Sequence, residues 1–230
     1  MNKIINGLKK AVYNLPTNYT QALKRSHYRW QINSKKFKSD EPEYNLLKKW
    51  IKTGDSVIDV GANVGHYSLE LSKLVGPTGR VFAFEPHPEN FELLSSNVLF
   101  SPYRNLSLFN IALGSSISNV CMETPIVEGM KNLYRCNISK YGKLSVFCMP
   151  LDCICKEIDI SFIKIDAEGY EYEVLKGMRT IIKKFNPVLI IEGYSPKVEK
   201  LMKMYGFSFE KISDSPNRIF FKKSHIQQKL

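Results

Sequence analysis

Four carboxylates crowd the segment IKIDAEGYEYEVL, Ile163–Leu175: Asp166, Glu168, Glu171 and Glu173. They follow FIKI, a short apolar run that reads as a strand. In an open α/β sheet, ligands bind outside the carboxyl ends of the strands. Carboxylates there can take a proton from a weak acid or hold a divalent cation, whereas in a helix's first turn they serve only its dipole. Spacing separates these roles. Beyond Gly169 the apolar stripe is Val174, Leu175, Met178, Ile181 and Ile182. Glu171 precedes Val174 by three and Leu175 by four, so it lies on the inner face at the helix's ligand-facing end and braces Asp166 and Glu168. Glu173 falls off the stripe and reads as a solvated first-turn acid. Asp166 and Glu168 remain as candidates for chemistry, joined by Glu192 after VLII and by His66 in a helical first turn. Lys164 shares a strand face with Asp166, and a lysine in a buried strand needs such a partner. No complete metal-ligand set accompanies them, so no metal is expected.

A second constellation lies upstream in VIDVGANVGHYSL. Asp59, Gly61, Asn63 and Gly65 alternate between a strand and a helix, with Ala62 inside the turn. Gly61 permits a tight turn, and Gly65 lets the chain pack closely as the helix begins. Asn63 stands where a dinucleotide-binding loop would carry a second glycine. Such a loop suits a ligand with an amino-acid end and a nucleoside end. Asp59 can receive an ammonium group, and the helix N-terminus a carboxylate. Glu85 follows Gly65 by twenty residues, at the tip of the next strand, where it can accept from both ribose hydroxyls. His87, in EPHP, reads as a loop residue.

These groups need a frame. From Asp55 onward strands alternate with helices: SVIDV, RVFAF, LSLFNIAL (106–113), KLSVFCM (143–149), ISFIKI and PVLIIE are separated by HYSLELSKLV, PENFELLSSNVLF and the single helix YEYEVLKGMRTIIKKF. That order predicts a doubly wound, mostly parallel sheet. FSFEKI and RIFFKK, joined by Asp-Ser-Pro-Asn, predict a terminal antiparallel hairpin. Gly114–Lys143 shows no clean period.

VIDVGANVGHYSLELSKLVGPTGRVFAFEPHPENFELLSSN, NIALG and ISFIKIDAEGYEYEVLKGM resemble the FkbM-type S-adenosylmethionine-dependent methyltransferases, from about Asp55 to Phe221. The resemblance implies a class I methyltransferase fold, Rossmann-like, with a seven-stranded sheet whose last pair is the hairpin. It also implies methyl transfer to a hydroxyl oxygen, of a sugar or a polyketide-type natural product. Carried over by position, Asp59, Gly61, Ala62, Asn63 and Gly65 would hold the methionine end of S-adenosylmethionine and Glu85 the ribose. Ala112 in NIALG would lie near the adenine. Asp166 counts among the cofactor-binding residues as well as the catalytic ones. The expected organisation is a basic, mostly helical extension (1–52), a methyltransferase domain (53–223) with a substrate-side insertion (114–143), and a short tail (224–230).

Charge is unevenly spread. Of the net +11, residues 1–52 supply +9, with twelve basic against three acidic residues. This argues against a nucleic-acid-binding fold with a uniformly basic face and leaves open a local patch for an anionic small-molecule or glycan acceptor, or a solvated surface. Apolar residues at helical spacing from Ile4 to Leu15 predict a helix, docked on the protein's own body, on a second subunit or on a membrane surface. Five cysteines, odd in number and without a C-x-x-C pair, read as free thiols in a reducing compartment. With no apolar run near the length of a membrane span and no signal-peptide core, a cytoplasmic location is expected. An RNA methyltransferase and a non-catalytic module for glycans or membranes stand as rival readings of the basic arm and its aromatics.

Overall fold

The computed structural model describes residues 16–127, 130–193 and 195–227; the helix expected over Ile4–Leu15 lies outside them, as does the end of the tail. The chain opens with α1 (Thr17–Asn33), a 3-10 turn (Pro42–Leu46) and α2 (Leu47–Trp50). Then come β1 (Ser56–Val60), α3 (His66–Val75), β2 (Arg80–Phe84), α4 (Pro88–Phe100) and β3 (Leu106–Phe109). A middle portion holds β4 (Ala112–Leu113), β5 (Ser118–Glu123), β6 (Ile126–Val127), β7 (Met130–Lys131), β8 (Asn137–Ile138), β9 (Leu144–Met149) and α5 (Asp152–Cys155). The last portion is β10 (Ile160–Ile165), α6 (Glu171–Lys176), α7 (Arg179–Phe185), β11 (Val188–Ile191), α8 (Pro196–Met204), β12 (Ser208–Lys211) and β13 (Arg218–Phe221).

Seven strands form the main sheet in the order β12-β13-β11-β10-β1-β2-β3. All pairs are parallel except those of β13, which runs against β11 and β12 and is the second arm of the expected hairpin. This is the class I methyltransferase arrangement. β1, β10 and β11 read as almost unbroken apolar runs because helices cover both faces. Ile58, Ile163 and Leu189 face one core with Leu175, Met178 and Ile182; Val57, Phe162 and Ile190 face the other with Leu47, Leu71 and Val75. Each fully buried aliphatic side chain contributes about 1.5–3 kcal/mol. Asp59 and Lys164 break the apolar pattern, and the parallel register makes them cross-strand neighbours.

Local periodicity misses three features. First, LSLFNIAL is not one strand. Asn110 donates its side-chain amide to the carbonyls of Glu85 and Pro86, at 2.8 and 3.1 Å. That anchors the chain at the tip of β2 and sends β4 into a second sheet of order β4-β9-β5-β8. KLSVFCM therefore pairs with the insertion rather than the main sheet, and Gly114–Lys143 itself carries the strands β5 to β8. Second, the helix expected over 170–185 is broken at Gly177–Met178. A Cβ on Gly177 would lie 1.9 Å from the carbonyl oxygen of Gly114. The Asp152 carboxylate accepts from the N–H groups of Thr180 and Ile181, at 2.8 and 3.1 Å, and so begins a new helix from a distant part of the chain. Third, EPEYNLLKKWI, whose Leu46, Leu47, Trp50 and Ile51 share one helical face and predict a helix, forms a 3-10 turn followed by a single α-turn rather than one continuous helix. Leu47 and Ile51 are buried as its stripe predicts, and Trp50 stacks on Phe221.

α1 lies across α4. Gln21 donates to the Glu89 carbonyl at 3.0 Å, Arg25 pairs with Glu92, and Tyr28 packs with Phe37, Val64 and Leu93. The N-terminal segment thus reaches the glycine turn itself. Among the described residues no helix is long and apolar enough to cross a membrane.

Candidate active site

The glycine turn is held from three sides. The N–H groups of Gly61 and Ala62 both donate to the Phe84 carbonyl, at 2.9 and 3.0 Å, and Gly65 donates to Ala62 at 2.8 Å. Gly61 has φ +75°, and a Cβ there would fall 1.7 Å from the backbone oxygen of Asp166. The turn therefore touches the acidic segment directly, and only a residue without a side chain permits it. Gly65 has φ +98°, and a Cβ would meet Leu94 at 2.8 Å. Asn63 adopts φ +50°, the left-handed conformation that asparagine tolerates better than most residues.

Glu85 locks the same turn. One of its oxygens accepts from Asn63 N–H and the other from His87 N–H, each at 2.8 Å. Burial pushes its carboxyl up to about 7, against the pull of those two donors. Each oxygen keeps a lone pair for a further donor. Asp59 is fully buried; Ser68 donates to one oxygen at 2.6 Å, while the other makes no hydrogen bond within the described protein. Burial raises its carboxyl, opposed by Lys164. The Asn63 side-chain oxygen is likewise buried and unpaired.

The second centre grows from the cross-strand neighbours. Lys164, 3% exposed, donates to Asp166 at 2.8 Å and lies 4.5 Å from the centre of the Tyr67 ring. Tyr67 in turn donates to Glu41 at 2.5 Å. Burial alone would lower the Lys164 ammonium, but Asp166 and Asp59 hold it above its ordinary value. Burial alone would likewise raise Asp166, but the Lys164 charge and a hydrogen bond with Glu192 hold it below the usual carboxylate range. Glu192 is driven up, first by that hydrogen bond to Asp166 and then by burial. Asp166 is thus the ionised member of the pair at neutral pH, and Glu192 carries the proton.

Two cavities, of about 60 and 460 Å³, flank the turn, and both are bordered by Gly61, Asn63, Tyr134 and Asp166. The smaller holds Glu85, Ala112 and Glu168; the larger holds Asp59, Ala62, His66 and Lys164. Glu192 borders neither and reaches the cleft through Asp166. Glu168 stands at φ +46°, and burial followed by the Asp166 charge raises its carboxyl. Glu171 braces this bend by accepting from the N–H groups of Ala167 and Gly169, at 3.2 and 2.9 Å. Glu173 does more than face solvent: it accepts from Ser115 and Lys176, tying α6 to the crossing between the sheets. His66 stacks on Phe37 at 4.3 Å, and burial pushes its imidazole down to about 4. It is neutral at physiological pH and a weak base.

Sequence reasoning missed the far wall of the larger cavity. Tyr28, Gln31 and Lys38 reach it from the N-terminal segment and Tyr134 from the insertion. The Tyr28 and Tyr134 hydroxyls share a hydrogen bond at 2.8 Å. The aromatics among the basic residues 27–37 were the available signal, but no local pattern says what they cover.

A family model, the methyltransferase FkbM domain, matches residues 59–212. The hexuronic acid methyltransferase AglP of Haloferax volcanii is 28% identical, over 75% of this chain and 71% of its own. The methyltransferase sdnD of Sordaria araneosa is 25% identical, over 66% of this chain and 73% of its own. Among solved structures, an FkbM methyltransferase from Methylobacillus flagellatus superposes with TM-score 0.51 at 18% identity over 88% of this chain, which spans 59% of that longer protein. A SAM-dependent O-methyltransferase from Thermotoga maritima gives TM-score 0.52 at 14% identity, over 85% of this chain and 71% of its own. Identities this low show a shared fold. The family match covers most of the chain, including the glycine turn, Glu85, Asp166 and Glu192: this chain belongs to the FkbM family of S-adenosylmethionine-dependent methyltransferases.

Proposed function

We propose that this chain methylates a hydroxyl oxygen of a sugar, carried by a nucleotide sugar or a glycan. The observation that carries this reading is the Asp166–Glu192 pair, its anion fixed by Lys164 and opening on a cavity that the glycine turn also borders. The similarity to AglP, named for hexuronic acid, supports a sugar as the acceptor.

The unpaired oxygens of Asp59 and Asn63 suit the methionine end of the cofactor, with Gly61, Ala62 and Gly65 shaping the turn around it. Glu85 suits the ribose, and Ala112 lines the cavity that would take the adenine. When bound, S-adenosylmethionine supplies a methyl group already activated on a sulfonium. What the protein adds is orientation and a destination for a proton. Asp166 faces the cavity as an anion and accepts the hydrogen bond of the acceptor hydroxyl, aligning its oxygen. That hydroxyl becomes strongly acidic as its oxygen bonds to the methyl group and gains positive charge, so even a carboxylate of low basicity can take its proton. Glu192, behind Asp166, positions it and holds the proton the pair shares. Glu168 lies on the ribose side, and His66, neutral and stacked, shapes the wall.

Glu85 makes cofactor affinity depend on pH. Ribose hydroxyls donate to the ionised carboxyl, and its protonation removes an acceptor. With its carboxyl at about 7, binding strengthens as pH rises through neutrality. Between pH 8 and pH 6 the affinity for S-adenosylhomocysteine should fall about tenfold, and Glu85→Gln should bind weakly with a flat profile. Calorimetric titration across that range checks it; a wild-type profile as flat as the variant's removes Glu85 from the ribose site.

The reading itself is tested by labelled-methyl transfer to hexuronic acid glycosides, nucleotide sugars and an RNA transcript. Label in a base-stable ether on a sugar is the expected result. Label in RNA alone, or in no acceptor despite cofactor binding, overturns it.

A further inference from the structure

The larger cavity is bordered by Asp166 and, from the N-terminal segment, by three residues with acceptor oxygens, Gln31, Asp40 and Glu41, as well as by Lys38. The Gln31 side-chain oxygen is buried and makes no hydrogen bond within the described protein. Its residue is held in place, because the Gln31 carbonyl accepts from both Lys36 and Phe37 N–H, at 2.8 and 3.2 Å, and closes the last turn of α1. A wall of acceptors suits donors, and hydroxyl groups are uncharged donors that carboxylates and amides receive. Lys38 also borders a neighbouring groove of about 590 Å³ that runs past Lys35 and Lys73 between α1 and α3. Lys73 is engaged with Glu70 at 3.4 Å, whereas Lys35 and Lys38 are exposed and have no ion pair among those described. Two cations of the N-terminal segment, Lys35 and Lys38, therefore border the groove.

We propose that the acceptor is an extended, acidic sugar compound bound across both spaces: the hydroxyl-rich ring to be methylated lies between Gln31 and Asp166, and an adjoining anionic group, a uronate carboxylate or a phosphate, lies in the groove at Lys35 and Lys38. This rests on the sugar O-methyltransferase reading and extends it by dividing recognition into a neutral reacting ring and an anionic neighbour. Charge beside Asp40, Glu41 and Asp166 would be repelled; charge one ring away is attracted. The N-terminal segment becomes part of the specificity apparatus.

The test uses the full chain saturated with S-adenosylhomocysteine, and reads acceptor binding by ligand-observed NMR so that no turnover is needed. The probes are a disaccharide of glucuronate and N-acetylglucosamine, its carboxyl-reduced counterpart, and glucose 1-phosphate. In wild type the acidic disaccharide or the sugar phosphate should bind at least about tenfold tighter than the reduced disaccharide; which of the two is preferred identifies the source of the anion. Lys35→Glu with Lys38→Glu should erase that preference. Gln31→Leu should weaken all three probes about tenfold, the worth of one hydrogen bond, and Gln31→Glu, which keeps an acceptor oxygen, should restore most of the loss. Unchanged S-adenosylhomocysteine affinity reports that each variant is folded. The proposal is overturned if the charge-reversed variant keeps the preference, if Gln31→Leu binds as wild type does, or if none of the probes binds. Methyl transfer to sugars with no effect of these substitutions defeats this inference alone. The expected binding pattern without transfer to any sugar defeats the functional reading alone.

Discussion

Replacing Asp166 by Asn is expected to slow methyl transfer about 10³-fold while shifting the affinity for S-adenosylhomocysteine by less than about tenfold. The amide keeps the size of the carboxyl but cannot take a proton and no longer balances Lys164. That lysine is almost wholly buried, so the substitution strikes stability as well; breaking a buried pair costs about 3–5 kcal/mol. Asp59, its cross-strand neighbour, offsets part of that loss. The catalytic and structural effects separate in a double-mutant cycle with Lys164→Met. The doubly substituted protein should recover part of the lost stability, because the unbalanced ammonium is gone although Asp59 loses its cation, yet recover none of the rate. Single-turnover rates and urea midpoints on the four proteins decide it. If the Asp166→Asn variant turns over at the wild-type rate, Asp166 is not the proton acceptor.

The second large effect is at Gly61. Alanine there meets two penalties. A left-handed φ of +75° costs a non-glycine residue about 1–2 kcal/mol, and the new methyl would stand 1.7 Å from the Asp166 carbonyl oxygen. The second cannot be relieved by turning a side chain, since both atoms belong to the backbone framework. Gly61→Ala should lose more than about 3 kcal/mol of stability in all and bind S-adenosylhomocysteine at least about 100-fold more weakly. Gly193 supplies the control. It has φ +72°, but a Cβ there meets nothing within 4 Å. Gly193→Ala should therefore cost only the conformational part, about 1–2 kcal/mol. Equal urea midpoints for the two variants would contradict the contact with Asp166.

The elements that periodicity could report are those whose cause is local or repeats along the chain. SVIDV, ISFIKI and VLII are apolar because they are covered on both sides, and that shows in any one of them. Asp59, Gly61 and Gly65 carry their meaning in their spacing. The rest depends on partners far away in sequence. Nothing within LSLFNIAL says that Asn110 will seize the carbonyls of Glu85 and Pro86. Nothing within YEYEVLKGMRTIIKKF says that Asp152 will start a new helix at Thr180. Glu192 could be nominated from its place at a strand end, but its shared proton with Asp166 depends on β10 and β11 being neighbours. The N-terminal segment was the least legible. Its charge was visible, whereas the placing of Gln31 and Lys38 at the border of the larger cavity needs the fold of the turn beneath it.

The hydrogen bond between Tyr28 and Tyr134 joins the two parts of the chain that lie outside the shared methyltransferase motifs. One comes from before the first strand of the sheet, the other from the insertion after the third, and they meet above the glycine turn. Chimeras that exchange acceptor specificity between relatives must therefore transplant both segments together. A graft of either alone would strand a tyrosine hydroxyl in a half-buried seam, at about 1–3 kcal/mol, and would pair one parent's roof with the other's wall. For engineering purposes, the two segments are a single exchangeable cassette interrupted by the cofactor-binding core.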